Sequence, residues 1–304
     1  MPSEKAPQLA VPDGARLFDR RLVRAHHRRS AAGLDAHGFL LERVSADIAE
    51  RLSEIERRFE PVLFQGLRGG FLERALPGYP RLGRIVRAAS ETGADLVADE
   101  EALPFAPQSF EAVLSLLILH WTNDLPGALI QIRQALKPDG LFIGALFGGE
   151  TLIELRSALA EAEIEIEGGL SPRVSPFLGM QDGAGLLQRA GFALPVADRD
   201  RVSVTYETPL HLMRELRGMG ETNALIERRR QPLKRQTLFR ALEIYARRFG
   251  TVSGRIAATF EIITLTGWAP HERQQKPLQP GSAKARLADA LGTAEMKMPG
   301  KASD

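Results

Sequence analysis

The sequence predicts an α/β protein built on a doubly wound, seven-stranded and mostly parallel sheet. Five short apolar segments alternate with helical patterns between residues 62 and 147, and this order is typical of parallel strands joined by crossovers. Two more strand-like segments come late in the chain, which favours a terminal antiparallel pair. An acidic turn at residues 99–101 follows the third predicted strand, and open α/β sheets bind ligands at the carboxyl ends of strands.

Apolar spacing, proline and glycine divide the first half of the chain into elements. Leu40, Val44 and Ile48 lie at helical spacing, and Pro104 and Pro107 interrupt the chain before the fourth strand. The predicted elements are a helix within 37–58, a strand at 62–64, a helix at 71–76, strands at 84–86, 95–98 and 110–119, a helix at 126–136 and a strand at 141–147.

The pattern changes after Gly148. Residues 168–180 are rich in proline and glycine, and Gly191 is a predicted C-cap that ends the helix before it. The predicted elements of this half are helices at 151–166 and 182–190, a strand at 201–206, two helical pieces within 210–249 that break at 218–223, and a strand at 257–268.

These elements predict three parts. Residues 1–58 form an N-terminal helical arm, residues 59–270 form the α/β domain with a helical insertion at about 207–250, and residues 271–304 form an extended tail. The basic stretch 16–29 is interpreted as a helix of the arm with solvated charges. A mitochondrial presequence or a nucleic-acid patch is the alternative interpretation of that stretch.

The composition excludes several classes of function. The 304 residues are 44% hydrophobic and 26% charged with a net charge of +2, so no global charge favours nucleic acid. The absence of cysteine excludes disulfides, thiolate metal sites and a cysteine nucleophile. The six histidines have no metal-ligand spacing, no apolar run reaches membrane-spanning length, and no signal peptide is recognised. We therefore expect a protein of the bacterial cytoplasm without a metal site or an integral membrane segment.

A nucleotide-type site on such a sheet requires glycines after the first strand and a carboxylate after the second. The first turn reads LFQGLRGGFL, in which Gly66 and Gly70 keep the outer glycine positions and Arg68 takes the middle one. The second strand offers Ala88 and Ala89 where the carboxylate is expected. Glu91 can replace that carboxylate only if the turn is remodelled.

The third requirement, a polar group that reaches a base, is met after the third strand. Asp99 and Glu100 follow that strand, and Leu103, Pro104 and Phe105 can form the wall of a base pocket. The alternative interpretation is a solvated acidic loop.

Other candidate residues lie near the end of the fourth strand and in two loops. Ser115 belongs to that strand, and His120 and Trp121 follow it at a position suited to catalysis. The alternative is that these two are ordinary strand-edge residues. The GGET sequence that begins at Gly148 predicts either an anion site or a simple helix cap.

The loops SPRVSPF and GMGETN, at 171–177 and 218–223, are predicted to form one mouth over the carboxyl ends of the strands. Arg173, Arg217 and Glu221 are candidate contacts for a partner in that mouth.

Several strings resemble the mitochondrial complex I assembly factor 5 family and its bacterial relatives, over roughly residues 16–290. They include VADEEALPF, FEAVLSLLILHWTNDLPGAL, QIRQALKPDGLFIGALFGGETLIELRSAL and ATFEIITLTGW. More distantly, the chain resembles the malonyl-carrier-protein methyltransferases of biotin synthesis. The resemblance implies a Rossmann-like class I fold of S-adenosylmethionine (SAM) methyltransferases, with SAM contacted by Gly66, Gly70, Asp99, Glu100 and Ser115.

The same resemblance implies a function with two versions. In the first, the protein is a SAM-dependent methyltransferase, or an arginine hydroxylase like the mitochondrial relatives, that acts on a protein side chain during complex I assembly. An iron–sulfur subunit is then the expected partner. In the second, it is a non-catalytic assembly module, because the family's D-L-G-C-G-x-G motif has Phe64 at its Asp and Arg68 at its middle Gly. We expect SAM binding to be weak or lost.

Overall fold

The seven strands form one sheet with the order β3-β2-β1-β4-β5-β7-β6. The computed structural model describes residues 16–274 except 67, 77–78 and 91–92. The strands are β1 (Val62–Gln65), β2 (Ile85–Ala89), β3 (Leu96–Val97), β4 (Phe110–Leu116), β5 (Leu136–Phe147), β6 (Ala193–Tyr206) and β7 (Ile256–Trp268). Strands β1 to β5 pair in parallel, and β7 runs antiparallel to both β5 and β6. The predicted fold class and the terminal antiparallel pair are confirmed.

Helices cover both faces of the sheet because successive strand residues point to opposite sides. On one face Phe64 and Leu114 belong to a core cluster shared with five of the helices, and on the other Leu63 and Val113 pack in a second cluster with two. The helices are α1 (Arg20–Ser30), α2 (Phe39–Ser53), α3 (Phe71–Ala75), α4 (Leu125–Ala135), α5 (Ile153–Glu167), α6 (Met180–Arg189), α7 (Pro209–Met219) and α8 (Arg235–Phe249). None of these helices is long and apolar enough to cross a membrane.

Several boundaries differ from the sequence-based expectation, and three of them affect the carboxyl-terminal half of the sheet or the candidate site. Strand β6 begins at Ala193 rather than 201. Residues 196–206 pair with β7 without interruption, and the charged residues 198–201 mask the apolar alternation of this edge strand. Strand β5 begins at Leu136, so the LKPDG turn belongs to the strand. Strand β4 ends at Leu116, and a separate 3₁₀ turn, Leu119–Trp121, follows it.

Helix α4, which follows β4, begins with Asp124 as its N-cap residue. Asp124 Oδ1 accepts a hydrogen bond of 2.8 Å from the Gly127 backbone N–H, which satisfies one of the free donors at the start of a helix. The NDLP sequence is therefore a helix start in this fold.

We expect Asp124→Ala to lower the free energy of unfolding by about 1–2 kcal/mol, because a helix N-cap is lost. The matched control is Asp200→Ala, which breaks an exposed ion pair with Arg43 and should cost less than about 1 kcal/mol. Urea unfolding followed by circular dichroism measures both. Equal effects of the two substitutions would contradict the capping role.

Candidate functional site

The turn after β1 has the positive backbone angles that glycine tolerates. Gly66 has φ 83° and Gly70 has φ 71°, a region that side chains with a Cβ rarely adopt. A Cβ at Gly66 would come within 3.1 Å of Ile118, so the glycine also allows close packing against the chain after β4. Both predicted glycines are thus explained by the turn itself.

Arg68 occupies the middle of this turn and is directed inward. Its side chain is 4% exposed, and Nη2 donates to Glu221 Oε1 at 2.7 Å and to the Met219 carbonyl at 3.0 Å. Glu221 lies in the GMGETN loop, so one ion pair joins the glycine turn to the loop after α7. This pair connects two segments that are 153 residues apart in the chain.

Glu221 also holds the two residues that follow β4. Its Oε2 accepts from Trp121 Nε1 at 2.9 Å and lies 3.1 Å from His120 Nε2. Because an ionised carboxylate can only accept, His120 must carry its proton on Nε2. His27 of α1 approaches the same carboxylate at 3.9 Å.

The buried charges shift the pKa values in this cluster. Burial alone would raise the pKa of the Glu221 carboxyl, but Arg68 and His120 outweigh it and lower that pKa to about 2. Burial lowers the pKa of His120 despite the adjacent carboxylate. Glu221 is therefore ionised and His120 neutral at neutral pH.

The predicted acidic turn is paired with arginines of the N-terminal helix. Arg20 contacts Glu100 and also donates to Asp99 Oδ1 at 2.9 Å, and Arg24 lies 3.2 Å from Asp99 Oδ2. Burial would raise the pKa of Asp99, but Arg20 and Arg24 lower it overall. The turn is therefore not a solvated loop, because Asp99 and Glu100 are paired with arginines of the same chain.

The N-terminal arm is fastened at the same place. Asn123 Oδ1 accepts from the backbone N–H groups of Leu17 and Phe18 at 2.8 and 2.7 Å. The Phe18 ring meets the Trp121 ring edge-on at 5.2 Å. Since Trp121 is 1% exposed, it belongs to a small core with Phe18 and Leu225.

Several buried polar atoms at the carboxyl ends of β1 and β4 have no partner among the described residues. Gln65 and Ser115 are register partners on these adjacent strands, and the Gln65 amide atoms, the Ser115 hydroxyl and Glu100 Oε1 make no hydrogen bond. Ala88 and Ala89, which take the place of the expected ribose carboxylate, are buried at the end of β2. Glu91 lies outside the described residues.

As arranged, these residues do not fit the whole of SAM. The glycine turn is filled by the Arg68 side chain, and Phe64 is packed in the core at 4% exposure. The acidic turn is held by Arg20 and Arg24, although Glu100 Oε1, the Gln65 amide and the Ser115 hydroxyl have no hydrogen-bond partner among the described residues. No group of three or more histidines or carboxylates in the described part of the chain could hold a metal ion.

The loops at 171–177 and 218–223 meet, as the sequence predicts. Asn223 Nδ2 donates to the Pro172 carbonyl at 2.8 Å. Beside them lies a cavity of about 530 Å³ whose lining includes Arg173, Arg217 and Glu221. These are the three contacts proposed for the mouth, although Arg173 is paired with Glu163 at 2.6 Å.

The GGET sequence is structural. The Gly148 and Glu150 backbone N–H groups donate to the backbone carbonyl and side chain of Glu261, both at 2.8 Å, and the Gly149 N–H donates to the Leu178 carbonyl. A Cβ at Gly148 would come within 2.4 Å of the Glu261 side chain. The backbone donors are thus used inside the protein, and the anion-site interpretation is wrong.

The chain is similar to several known proteins in sequence and in structure. Residues 83–144 match the family model of a methyltransferase domain. The chain is 42% identical over 289 residues to the mitochondrial arginine-hydroxylase NDUFAF5 of Danio rerio, covering 91% of this chain and 90% of that protein. It is 33% identical to the malonyl-[acyl-carrier protein] O-methyltransferase of Halorhodospira halophila, covering 84% of this chain and 90% of that protein. The crystal structure of a putative methyltransferase from Bacillus halodurans is 13% identical and covers 74% of this chain and 99% of its own, with a TM-score of 0.49.

The chain belongs to the NDUFAF5 arginine-hydroxylase family. It carries a methyltransferase-type domain with the seven-stranded Rossmann-like sheet. The resemblance to this family that the sequence motifs indicate is confirmed. The candidate roles of His120, Trp121 and the five cofactor residues stay predictions, since geometry places them without testing them.

The arginines that pair with the acidic turn were not predicted from the sequence. The sequence predicts solvated charges for the stretch that contains Arg20 and Arg24, yet Arg20 reaches both Asp99 and Glu100. Neither residue carries a sequence signal for that role, because the pairing depends on how α1 packs against a turn about 80 residues later.

We expect Glu221→Gln to lower the free energy of unfolding by about 3–5 kcal/mol, because it leaves the buried Arg68 without its counter-charge. Arg68→Met should also destabilise, and the double variant should cost less than the sum of the two. A double-mutant cycle by chemical unfolding measures the coupling. Additive effects would mean that the pair is not coupled.

The same pair should be visible in the pH dependence of stability. The folded pKa of Glu221, about 2, lies below its ordinary value of 4.5, so its contribution is present above pH 4.5 and is lost as pH falls toward 2. The Glu221→Gln variant should show a smaller loss of stability over this window than the natural protein. Parallel curves would contradict the assigned shift.

Proposed function

We propose that this protein recognises and acts on a side chain of a protein partner during assembly of respiratory complex I, with a cofactor site that binds SAM weakly. The relatives of this chain are named arginine hydroxylases, and the family resemblance makes an iron–sulfur subunit the candidate partner. The ion pair between Arg68 and Glu221 is the observation that supports weak SAM binding.

This pair supports weak SAM binding for a physical reason. A cofactor that entered the glycine turn would have to displace the Arg68 guanidinium and leave Glu221 without its closest counter-charge. Breaking a buried ion pair by removing one partner is strongly unfavourable. The pairing of Asp99 and Glu100 with Arg20 adds a second interaction that the cofactor would have to replace.

A second candidate is a SAM-dependent protein methyltransferase that opens before it acts. It is favoured by the buried atoms of Gln65, Ser115 and Glu100 that have no partner in the described chain, since such atoms in native structures call for a ligand or a water. In this candidate His120, hydrogen-bonded to Glu221, is the base to test. The third version is a non-catalytic assembly module that does not bind SAM. For all three versions we propose the bacterial cytoplasm as the compartment.

We expect the natural protein to bind SAM at least about 100-fold more weakly than a methyltransferase with an intact glycine turn, because two charged anchoring groups are replaced. Isothermal titration calorimetry measures this directly. The paired variant Arg68→Gly with Glu221→Gln should open the turn without leaving a buried charge and should raise SAM affinity. Arg214→Gln on helix α7 is the matched control and should have no effect. Tight SAM binding by the natural protein would contradict the proposal of a weak SAM site.

The mouth should be tested apart from the cofactor. We expect Arg217→Glu to reduce co-purification of the partner subunit and to lower assembled complex I in a bacterial strain that lacks the natural protein, because it reverses an exposed charge at the mouth. Arg214→Glu lies on the same helix outside the cavity lining and should behave like the natural protein. If both variants restore assembly fully, the mouth is not the partner site.

A further inference from the structure

The cavity at the mouth has an apolar wall. Its volume is about 530 Å³, within the range of about 300–1,000 Å³ that suits small ligands. Leu152, the residue before helix α5, and Leu155 and Leu159 within that helix line one side, and Phe177 and Leu233 line it from the loops. The wall can therefore receive an apolar chain.

The charged part of the lining is almost entirely cationic. Five arginines and one glutamate contribute to it, namely Arg29, Arg173, Arg217, Arg228, Arg229 and Glu221. Three of the arginines have carboxylate partners elsewhere, since Arg173 pairs with Glu163, Arg228 with Asp19 and Arg229 with Glu167. The glutamate is already neutralised by Arg68.

Arg29 and Arg217 differ from the other three. Neither forms an ion pair within 4 Å with any carboxylate of the described residues, and both are exposed. They come from α1 and α7, so the two free guanidinium groups belong to different segments that border one cavity. The lining thus offers two unpaired cations and no free carboxylate.

Ser175 and His26 add two further features to the lining. Ser175 is 3% exposed, lines the cavity, and its hydroxyl has no hydrogen-bond partner among the described residues. Burial and the charge of Arg29 lower the pKa of His26, another lining residue, to about 4. An unused buried hydroxyl and a positive field are what a carboxylate group requires.

We propose that this cavity is a binding site for an apolar chain that carries a carboxylate. The apolar part lies against the leucines of α5, and the carboxylate is held by Arg29 and Arg217 with the Ser175 hydroxyl as a further donor. Such a ligand can be a free acid or an acidic, leucine-rich segment of a protein. The site goes beyond the proposed function and does not depend on it.

A series of ligands with one chain and different head groups tests the proposal. Decanoate, 1-decanol and decylammonium are titrated into the purified full-length protein below their aggregation concentrations, with acetate as the carboxylate without a chain. We expect saturable binding of one decanoate, binding of decanol that is weaker by about tenfold or more, and no binding of decylammonium or acetate. Equal binding of decanoate and decylammonium, or no decanoate binding, would overturn the proposal.

Matched arginine variants locate the binding. Arg29→Gln with Arg217→Gln should weaken decanoate binding by about a hundredfold or more, since each charged hydrogen bond contributes about tenfold or more. Arg28→Gln with Arg214→Gln changes exposed arginines of the same two helices outside the lining and should leave the affinity unchanged. Thermal melting checks that both double variants are folded. An equal loss in the two pairs would place the binding elsewhere and reject the site.

A competition experiment identifies the source of the ligand. An acetylated and amidated peptide of three leucines flanked by glutamates is titrated against bound decanoate. Displacement indicates a protein segment as the source, and no displacement indicates a free acid. If the first double variant loses decanoate binding but still supports complex I assembly, the site stands and the mouth is not where the partner binds. If decanoate never binds but Arg217→Glu blocks assembly, the proposed function stands and this inference fails.

Discussion

The buried ion pair between Arg68 and Glu221 is the interaction on which the candidate site depends. It joins the glycine turn after β1 to the loop after α7, and the same carboxylate holds His120 and Trp121 after β4. Each of these side chains is nearly inaccessible to water, so none of them could lose its partner cheaply. One carboxylate thus fixes three loops at the carboxyl ends of the strands, where open α/β sheets place their ligands.

The N-terminal helix completes this arrangement by charge. Arg20 donates to the Trp121 carbonyl at 3.1 Å and to Asp99 at 2.9 Å, so it ties the acidic turn to the residues that Glu221 holds. Phe18 and Asn123 fasten the start of the arm to the chain after β4. The arm is therefore part of the site rather than a separate appendage, and any ligand that needs the acidic turn must compete with it.

The site and the cavity beside it have opposite electrostatic characters. Around Glu221 the charges are balanced inside the protein, which favours a closed arrangement. In the cavity the arginines outnumber the carboxylates, and Arg29 and Arg217 face solvent without partners in the described chain. A ligand with a negative group is favoured in the cavity, whereas the cluster around Glu221 offers it no unpaired positive charge among the described residues. The two regions therefore differ in the charge of the ligand that each favours.

The sequence by itself determined the architecture. The alternation of apolar strands with helices and the late pair of strands predicted the seven-stranded sheet, because hydrophobic periodicity reflects local backbone geometry. It also predicted that the loops at 171–177 and 218–223 would meet, since both lie at the same edge of the sheet. Charged edge strands are harder to recognise, and the start of β6 differs from the prediction because its residues 198–201 are arginines and aspartates on both faces of the strand.

The tertiary structure alone decided what the polar residues do. From the sequence, Arg68 is a lost glycine position, Arg20 a solvated charge and Trp121 a residue after β4 suited to catalysis. In the structure Arg68 and Trp121 are buried, Arg20 is partly buried, and all three have partners far away in the sequence. Local pattern cannot specify these contacts, because the free energy of a buried charge depends on which opposite charge the fold brings within a few ångströms. The sequence determined where the site lies, and the packing of α1 and the loop after α7 decided which of its charges are already used.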